Sequence, residues 1–353
     1  MKTDAKILIC YNSPVSIFPI YNGKPAAKDS EINDLSENAF ERDLEKIVDS
    51  LGKYYSKVET FAADSNIEKT ITELNKISPD VIFNFVETIE GVTSYEYCIA
   101  GVFELLGYQF TGNIPMTLGN CLNKERAKNI LRSFGINTPK SKIIKPADKV
   151  SHKGFDLKFP VILKLLTEDA SIGISEFSVV NNFSELIKQL KFLFGTYKQD
   201  VIAEEYIEGR ELNVAVLGDR VLPISEILFN GLPDDLPKII TYDSKWIEDS
   251  VYYKNTQPSC PAEMDRKSQK NVEAVAMAAF GAMNCRDYAR VDIRLSNDGI
   301  PYVIEVNPNP DISTDSGFAR AASTAGIPYE ELLHTIANFA LTRKKDDTKN
   351  KAV

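Results

Sequence analysis

The sequence predicts an α/β protein of 353 residues that opens on a doubly wound parallel sheet. Three observations carry this. Apolar strand-like runs alternate with helical patterns over residues 6–106, the order that builds a parallel sheet covered on both faces. Further on, 201–217 reads as strand, Glu208-Gly209 turn, strand. Near the end, Asp298-Gly299 separates two alternating apolar runs, a strong hairpin signal.

In chain order, 6–11 is a buried strand, 31–51 a helix with Leu35, Phe40, Leu44, Ile47, Val48 and Leu51 roughly on one face, and 57–61 a short strand. A helix over 67–77 is ended by Ser78-Pro79, 80–86 is the third strand, and 94–106 is a helix stopped by Gly107. Ligands of such sheets sit beyond the carboxyl ends of the strands, here Asn12-Ser13 and Glu87. An acid at that place is either a substrate contact or a capping or solvated group, and Glu87 keeps both readings. The turn-rich stretch 111–115 marks a domain boundary.

A helix over 118–134 carries Asn123-Lys124. Strands follow at 143–144 and 159–164, the second ending in Lys164 ahead of a polar loop, 167–173, that contains Ser171. A lysine at a strand end is commonly a surface residue. Four apolar residues before it and a loop closed by Gly173 suit instead a flap over phosphates. Residues 174–180 return as a strand, 183–194 are helical, and 221–229 follow the 201–217 pair as a further strand. A Pro- and Asp-rich loop covers 230–261 and a helix 262–283. After the hairpin come helices over 315–325 and 329–342, then a Lys- and Asp-rich tail from Arg343 expected to be disordered.

If Asp298-Gly299 form a two-residue loop, Asn297 pairs with Ile300. Val291 then faces Val306, Ile293 faces Ile304 and Leu295 faces Tyr302, making one face apolar. The other face sets Asp292 against Glu305 and Arg290 against Asn307. Like charges across a ladder are destabilising. A solvated polar face is the plain reading. Two carboxylates and an amide oxygen beside an arginine favour a nest of hard oxygen ligands for Mg²⁺.

Composition narrows the chemistry. A hydrophobic content of 43% and a charged content of 26% belong to an ordinary soluble globular chain, and the net charge of −9 argues against a general nucleic-acid binder. No secretory apolar region or membrane-length apolar run is present, so a cytoplasmic protein is expected. The five cysteines are scattered without a CxxC, which fits reduced, mostly buried thiols. His152 and His334 both read as structural. That leaves carboxylates, Lys, Arg, backbone amides and metal to do any chemistry.

Lys164, the run from Glu204 to Glu211, and the hairpin resemble the ATP-grasp superfamily and, within it, the D-alanine–D-alanine ligase group. The resemblance covers most of the chain. It rests on the order and spacing of Leu122-Asn123-Lys124, Phe159-Pro160-Val161-Ile162-Leu163-Lys164, Glu204 to Glu211, Tyr242-Asp243-Ser244-Lys245, Cys260-Pro261-Ala262, Arg290-Val291-Asp292 and Glu305-Val306-Asn307. It implies α+β lobes that clamp ATP, with an N-terminal domain at 1–116, a central lobe at 117–198, a C-terminal lobe at 199–345 and a disordered tail at 346–353. Lys124 and Lys164 are then expected to contact the phosphates, under a flap containing Ser171. Glu204, Tyr206 and Ile207 are expected to read the adenine and Glu211 to hold the ribose. Lys245 would close over the γ-phosphate, and Asp292, Glu305 and Asn307 would ligate two Mg²⁺ ions, with Mn²⁺ as a substitute. Arg290 would stabilise the oxyanion, and Ser316 would hold the second substrate's carboxylate. A homodimer through the first domain is also implied.

The implied reaction is attack of a carboxylate on the γ-phosphorus of ATP, then of an amine on the acyl phosphate, with catalysis mostly by positioning and electrostatics. Several positions depart from the group. D-alanine–D-alanine ligases resembling this chain hold the first ammonium with a glutamate after the first strand, joined by a serine and a tyrosine. Here the loop is Asn12-Ser13-Pro14-Val15, and the other two positions are Ala170 and Trp246. Asp311 stands where the group has a glycine, and either reaches an amine on a larger substrate or caps the next helix. The expectation is therefore a carboxylate–amine ligase acting on small molecules, with no nucleic acid or membrane partner. Its substrate is another amino acid or small acid. A true D-alanine–D-alanine ligase and a non-catalytic ATP-binding module are the alternatives.

Overall fold

Ile7 and Ile9 point to one face of the first strand, Leu8 and Cys10 to the other, and both faces are covered. In the computed structural model, which describes residues 2–25 and 35–350, β1 (Thr3–Asn12), β2 (Tyr55–Ala63) and β3 (Val81–Phe85) form a parallel sheet in the order β2-β1-β3. α1 (Leu35–Gly52) lays Ile47 and Leu51 on one face, and α2 (Ile67–Ile77) and α3 (Tyr95–Leu105) cover the other. This is the doubly wound start that the sequence predicts. Residues 31–34 of the expected first helix lie outside the described residues.

The single helix expected at 118–134 is two. α4 (Pro115–Leu122) and α5 (Lys124–Ser133) meet at Asn123, whose backbone is extended and whose side chain accepts the Arg126 N–H at 2.9 Å. An N-cap asparagine starts a helix more readily than it continues one. The break places Lys124 at a helix start.

β4 (Ser141–Ile144), β5 (Val161–Leu165), β6 (Val179–Val180) and β7 (Val201–Glu205) form an antiparallel sheet ordered β4-β7-β5-β6, backed by α6 (Phe183–Tyr197). Two expectations fail here. Of 174–180 only Val179–Val180 is a strand, because Ser175 caps a 3-10 turn ahead of it. And β7 is not half of a hairpin: it lies between β4 and β5. The chain crosses to the next sheet after Glu205, so the sheets divide there rather than at 198.

The third sheet holds β8 (Gly209–Leu217), β9 (Arg220–Val221), β10 (Ser225–Leu228), β11 (Gln257–Ser259), β12 (Tyr288–Ser296) and β13 (Pro301–Asn307). Its order is β11-β10-β8-β12-β13, with β9 on β8. The region expected to be a loop at 230–261 contains β11 and two short helices, α7 (Tyr242–Trp246) and α8 (Val251–Asn255), started by Thr241 and Ser250 caps. α9 (Arg266–Ala282) covers the apolar face of the sheet. α10 (Gly317–Thr324) and α11 (Tyr329–Asn350) return to the N-terminal sheet, where Phe318, Leu332 and Ile336 share a core with Ile7 and Ile9.

The tail expected to be disordered from Arg343 is helical through Asn350. Ion pairs explain its start: Arg343 grips Asp287 and Lys344 reaches Asp80 at 2.5 Å. The five cysteines are free, but only Cys10 and Cys121 are buried and Cys98 is exposed, against the expectation of mostly buried thiols. His334 stacks on Tyr54 at 4.0 Å, a structural role. Among the described residues no helix is long and apolar enough to cross a membrane.

Candidate active site

At the open end of the C-terminal hairpin Arg290 pairs with Asn307, Val291 with Val306 and Asp292 with Glu305, as the sequence predicts. Nearer the turn the predicted pairs Ile293–Ile304 and Leu295–Tyr302 do not form. Ile293 pairs with Val303, Arg294 with Tyr302 and Leu295 with Pro301. The loop is the cause. Ser296 N–H donates to Ile300 O at 3.0 Å and Gly299 N–H to Ser296 O at 2.9 Å, so three residues make the turn, with Gly299 at φ +80°. That moves the register by one. A bulge at Ile304 moves it back, and the two acids still meet. Val291, Ile293, Leu295, Val303 and Val306 pack against α9, leaving the charged face to the cleft.

The acids sit in a ring of cations. Arg290 grips Asp292 with two bonds, Nε to Oδ1 at 2.8 Å and Nη2 to Oδ2 at 2.9 Å, and Asn213 of β8 donates to Oδ1 at 2.7 Å. Burial works to lower the Arg290 pKa, and Asp292 overrides it, holding the guanidinium above its ordinary value. Lys124 Nζ lies 3.6 Å from Glu305 Oε1 and 3.5 Å from Asp169 Oδ1, and donates to Glu168 O at 2.5 Å. Burial raises the Glu305 carboxyl, but Lys124, Lys164, Arg290 and Lys245 together hold it down to about 2. Asn307 Oδ1 accepts the Asn309 N–H at 3.1 Å. Among the described residues no three acidic, histidine or cysteine side chains gather into an all-protein metal cage. Two carboxylates and an amide on an open cleft suit Mg²⁺, which takes one or two carboxylates and fills its shell with water and phosphate oxygens.

Across the cleft Lys164 donates to Glu204 Oε2 at 3.0 Å, and Lys128 Nζ lies 3.1 Å from Oε1. Lys128 was not among the expected site residues, although it follows Lys124 by one helical turn and so shares its inward face. In the crossing that follows, Tyr206 N–H donates to Pro160 O at 2.9 Å and its hydroxyl to Lys238 O at 3.0 Å. Glu211 takes Arg294 Nη2 at 2.8 Å, and the Arg294 guanidinium lies 5.2 Å from the Tyr206 ring centre. Arg294 continues the alternation of Arg290 and Asp292, a signal that could have found it. A Cβ on Gly209 would stand 2.1 Å from Leu295 O, so only glycine lets β8 lie against β12 there.

The flap carries left-handed backbone at Ala170 (φ +51°) and Ser171 (φ +62°), a strain that persists where surroundings fix it. Gly173 N–H donates to Tyr21 O at 2.7 Å. Beside the flap, Lys245 lies in the last turn of α7. Its side chain is reachable by solvent, yet thinned hydration among the cleft walls, followed by Arg290, pushes its ammonium pKa down. The two departures in this region meet: Trp246 Nε1 donates to Ala170 O at 3.5 Å.

On the remaining side Asp311 is no helix cap. Ser316 caps α10, its Oγ accepting the Ala319 N–H at 3.1 Å while its own O–H stays a donor. Asp311 accepts the Ser313 N–H at 2.8 Å, and its charge is felt at Arg290. Glu87 is exposed at the end of β3, and Asn12 closes that turn by accepting the Glu87 N–H at 2.9 Å. Between them is a residue the sequence did not mark: Glu96, buried, accepts Asn309 Nδ2 at 3.1 Å, and burial, then Asp169, push its carboxyl well above its usual range.

Two antiparallel sheets that face each other across lysines, arginines and carboxylates, behind a doubly wound sheet, define an ATP-grasp enzyme, an ATP-dependent ligase forming C–N bonds. Residues 130–338 match the family described as D-ala D-ala ligase C-terminus. The chain is 31% identical over 242 residues to the D-alanine–D-alanine ligase of Nitrosospira multiformis, covering 69% of this chain and 74% of that one. It is 33% identical over 265 residues to the uncharacterized protein y4sG of Sinorhizobium fredii, covering 74% and 75%. The crystal structure of D-alanine–D-alanine ligase from Bacillus anthracis complexed with ATP matches with a TM-score of 0.73 at 24% identity, covering 97% of this chain and 100% of that one. The chain belongs to the D-alanine–D-alanine ligase family.

Proposed function

We propose that the protein is an ATP- and Mg²⁺-dependent carboxylate–amine ligase whose acid substrate is a small acid or amino acid other than D-alanine, activated as an acyl phosphate. The observation that carries the substrate reading is the Trp246–Ala170 contact. It stands where the family's ammonium-holding serine and tyrosine are expected, and Asn12 of the first loop is turned to the Glu87 backbone. In this reading the donor acid meets an indole and a methyl group at those two positions.

In this reading Lys124, Lys164 and Lys245 bind the phosphates under the Ser171 flap. Glu204, Tyr206 and Ile207 hold the adenine and Glu211 the ribose. Asp292, Glu305 and Asn307 hold two Mg²⁺ ions, with Mn²⁺ as a substitute. When bound, the metal neutralises crowded phosphate charge. Arg290, fixed by Asp292, faces the developing oxyanion. Ser316 donates to the carboxylate of the second substrate, and Glu87 and Asp311 supply negative charge for an amine on a larger acceptor. Both substrates are small molecules, and we place the enzyme in the cytoplasm, where its five free thiols stay reduced. We further propose a homodimer through the apolar surface of the first domain, where Leu105 and Met116 are 90% and 69% exposed; light scattering at the monomer mass would refute it.

The names of the relatives favour a second reading, D-alanine–D-alanine ligase itself. Phosphate release from ATP and Mg²⁺ decides between the two. Robust turnover with D-alanine alone supports the second, and turnover only with another acid and amine, the product identified by mass, supports the first.

A further inference from the structure

One cation of the N-terminal domain reaches both the flap side and the Lys245 helix. Lys24 Nζ lies 2.9 Å from Glu176 Oε2, just beyond the flap, and 2.7 Å from Asp243 Oδ2 on α7. Asp243 stands two residues before Lys245 and is nearly buried; among the described residues its Oδ1 has no hydrogen-bond partner. Its negative charge is therefore met by Lys24. The neighbouring backbone repeats the pattern. Tyr21 O accepts the Gly173 N–H at 2.7 Å, Gly23 O accepts the Ser175 hydroxyl at 3.1 Å, and the Tyr21 ring packs on Tyr242 at 6.1 Å. A Cβ on Gly23 would stand 2.4 Å from Gly173 O, so the two backbones are in direct contact.

We propose that Lys24 is a positioning residue of the cleft, which holds the flap through Glu176 and the Lys245 loop through Asp243, so that both close together. It acts through these two acids. Without it Asp243 is a nearly buried carboxylate with no counter-ion, a costly arrangement. The direct relief is for α7 to swing toward water. That swing carries Lys245 out of the cleft and frees Glu176 at the same time. The proposal rests on reading the cleft as the nucleotide site.

Hydrogen exchange of the full chain, with and without Mg²⁺ and the non-hydrolysable analogue AMP-PNP, tests it. In the wild type the nucleotide slows exchange over both 167–178 and 241–250. In Lys24→Met both segments exchange about tenfold faster than in the liganded wild type, while the β7 strand stays protected. Lys24→Arg restores both. Protection in Lys24→Met equal to the wild type overturns the proposal, and so does loss in one segment alone. If Lys24→Met does not fold, Lys24→Gln, which also leaves Asp243 without a counter-ion but keeps a polar side chain of similar reach, is read by the same criteria. Calorimetry showing no AMP-PNP binding by the wild type overturns the nucleotide reading itself, and this proposal with it.

Discussion

Lys128 and Glu204 face each other at 3.1 Å inside the central lobe, with side chains 2% and 1% exposed. Lys164 holds the other carboxylate oxygen at 3.0 Å. One buried anion is thus shared by two lysines, and Lys164 can turn to a phosphate without leaving Glu204 unpaired. Lys128→Met removes that reserve. A loss of about 3 kcal/mol in denaturant unfolding is expected for breaking a buried pair. Because Lys164 is then tied to Glu204, KM for ATP should also rise about tenfold with little change in kcat. Steady-state ADP formation checks this, and an unchanged KM contradicts the shared charge. Burial raises the Glu204 carboxyl, but Lys128 and then Lys164 pull it below its usual value. Its stabilisation is complete above the unfolded value of 4.5 and is lost as pH falls through the lower folded value. Lys128→Met should flatten that acid slope.

Glu305 looks, from the sequence alone, like half of a repulsive pair whose removal relieves strain. Four surrounding cations reverse that expectation by holding the carboxyl down to about 2. Glu305→Gln should lower the melting temperature by a few degrees and cut ADP formation by at least about 100-fold. Mg²⁺-dependent ADP formation at the wild-type rate would refute the metal assignment. The sign of the pH effect follows from a depressed acid: its contribution is full above the unfolded value of 4.5 and fades as pH falls toward about 2.

Lys245 is displaced the opposite way from a lysine that gains a partner. Lost hydration and Arg290 push its pKa down, so its deprotonated form favours the native state. Its contribution to stability grows as pH rises and is lost as pH falls through the folded value. In the proposed role Lys245 binds phosphate as the ammonium, so kcat/KM for ATP should fall on the alkaline side below the ordinary lysine range, because kcat/KM reports the free enzyme. Lys245→Arg keeps its charge, and its profile should lose that alkaline limb. The same limb in both proteins would assign it to another group.

The fold was readable where one strand serves one sheet. β1 to β3 follow from alternation and breakers, and α2 runs over Ile67–Ile77 as expected. β7 misled because Gly209 looks like a turn between paired strands, whereas it lets β8 lie against Leu295 O and β7 pairs elsewhere. Such a choice depends on residues far along the chain. The charged groups divide similarly. Asp292 and Glu305 were visible as an anomaly on one hairpin. Lys24, Lys128 and Glu96 take their meaning from partners 76 to 219 residues away, at Asp243, Glu204 and Asn309, and only Lys128, one helical turn after Lys124, carries a local signal.

The hairpin itself provides the last test. Its acids meet because a three-residue turn and a bulge at Ile304 cancel in register. Deleting Ile304 removes the bulge while allowing every observed pair, from Arg290–Asn307 to Leu295–Pro301, to form in a regular ladder. The apolar face keeps Val303 and Val306 inward, so the melting temperature should stay within a few degrees of the parent. What disappears is the extra local twist that aims a side chain beside a bulge. Glu305 and Asn307 lie immediately after it, and a displacement of about 1 Å can cost about 100-fold in rate. ADP formation should drop by that order in a variant that still folds. Deleting Asn297 instead shortens the turn at the far end and leaves the bulge in place, so activity should persist. Equal activity in the two deletions would mean that the bulge only absorbs the turn's extra residue and has no part in aiming the acids.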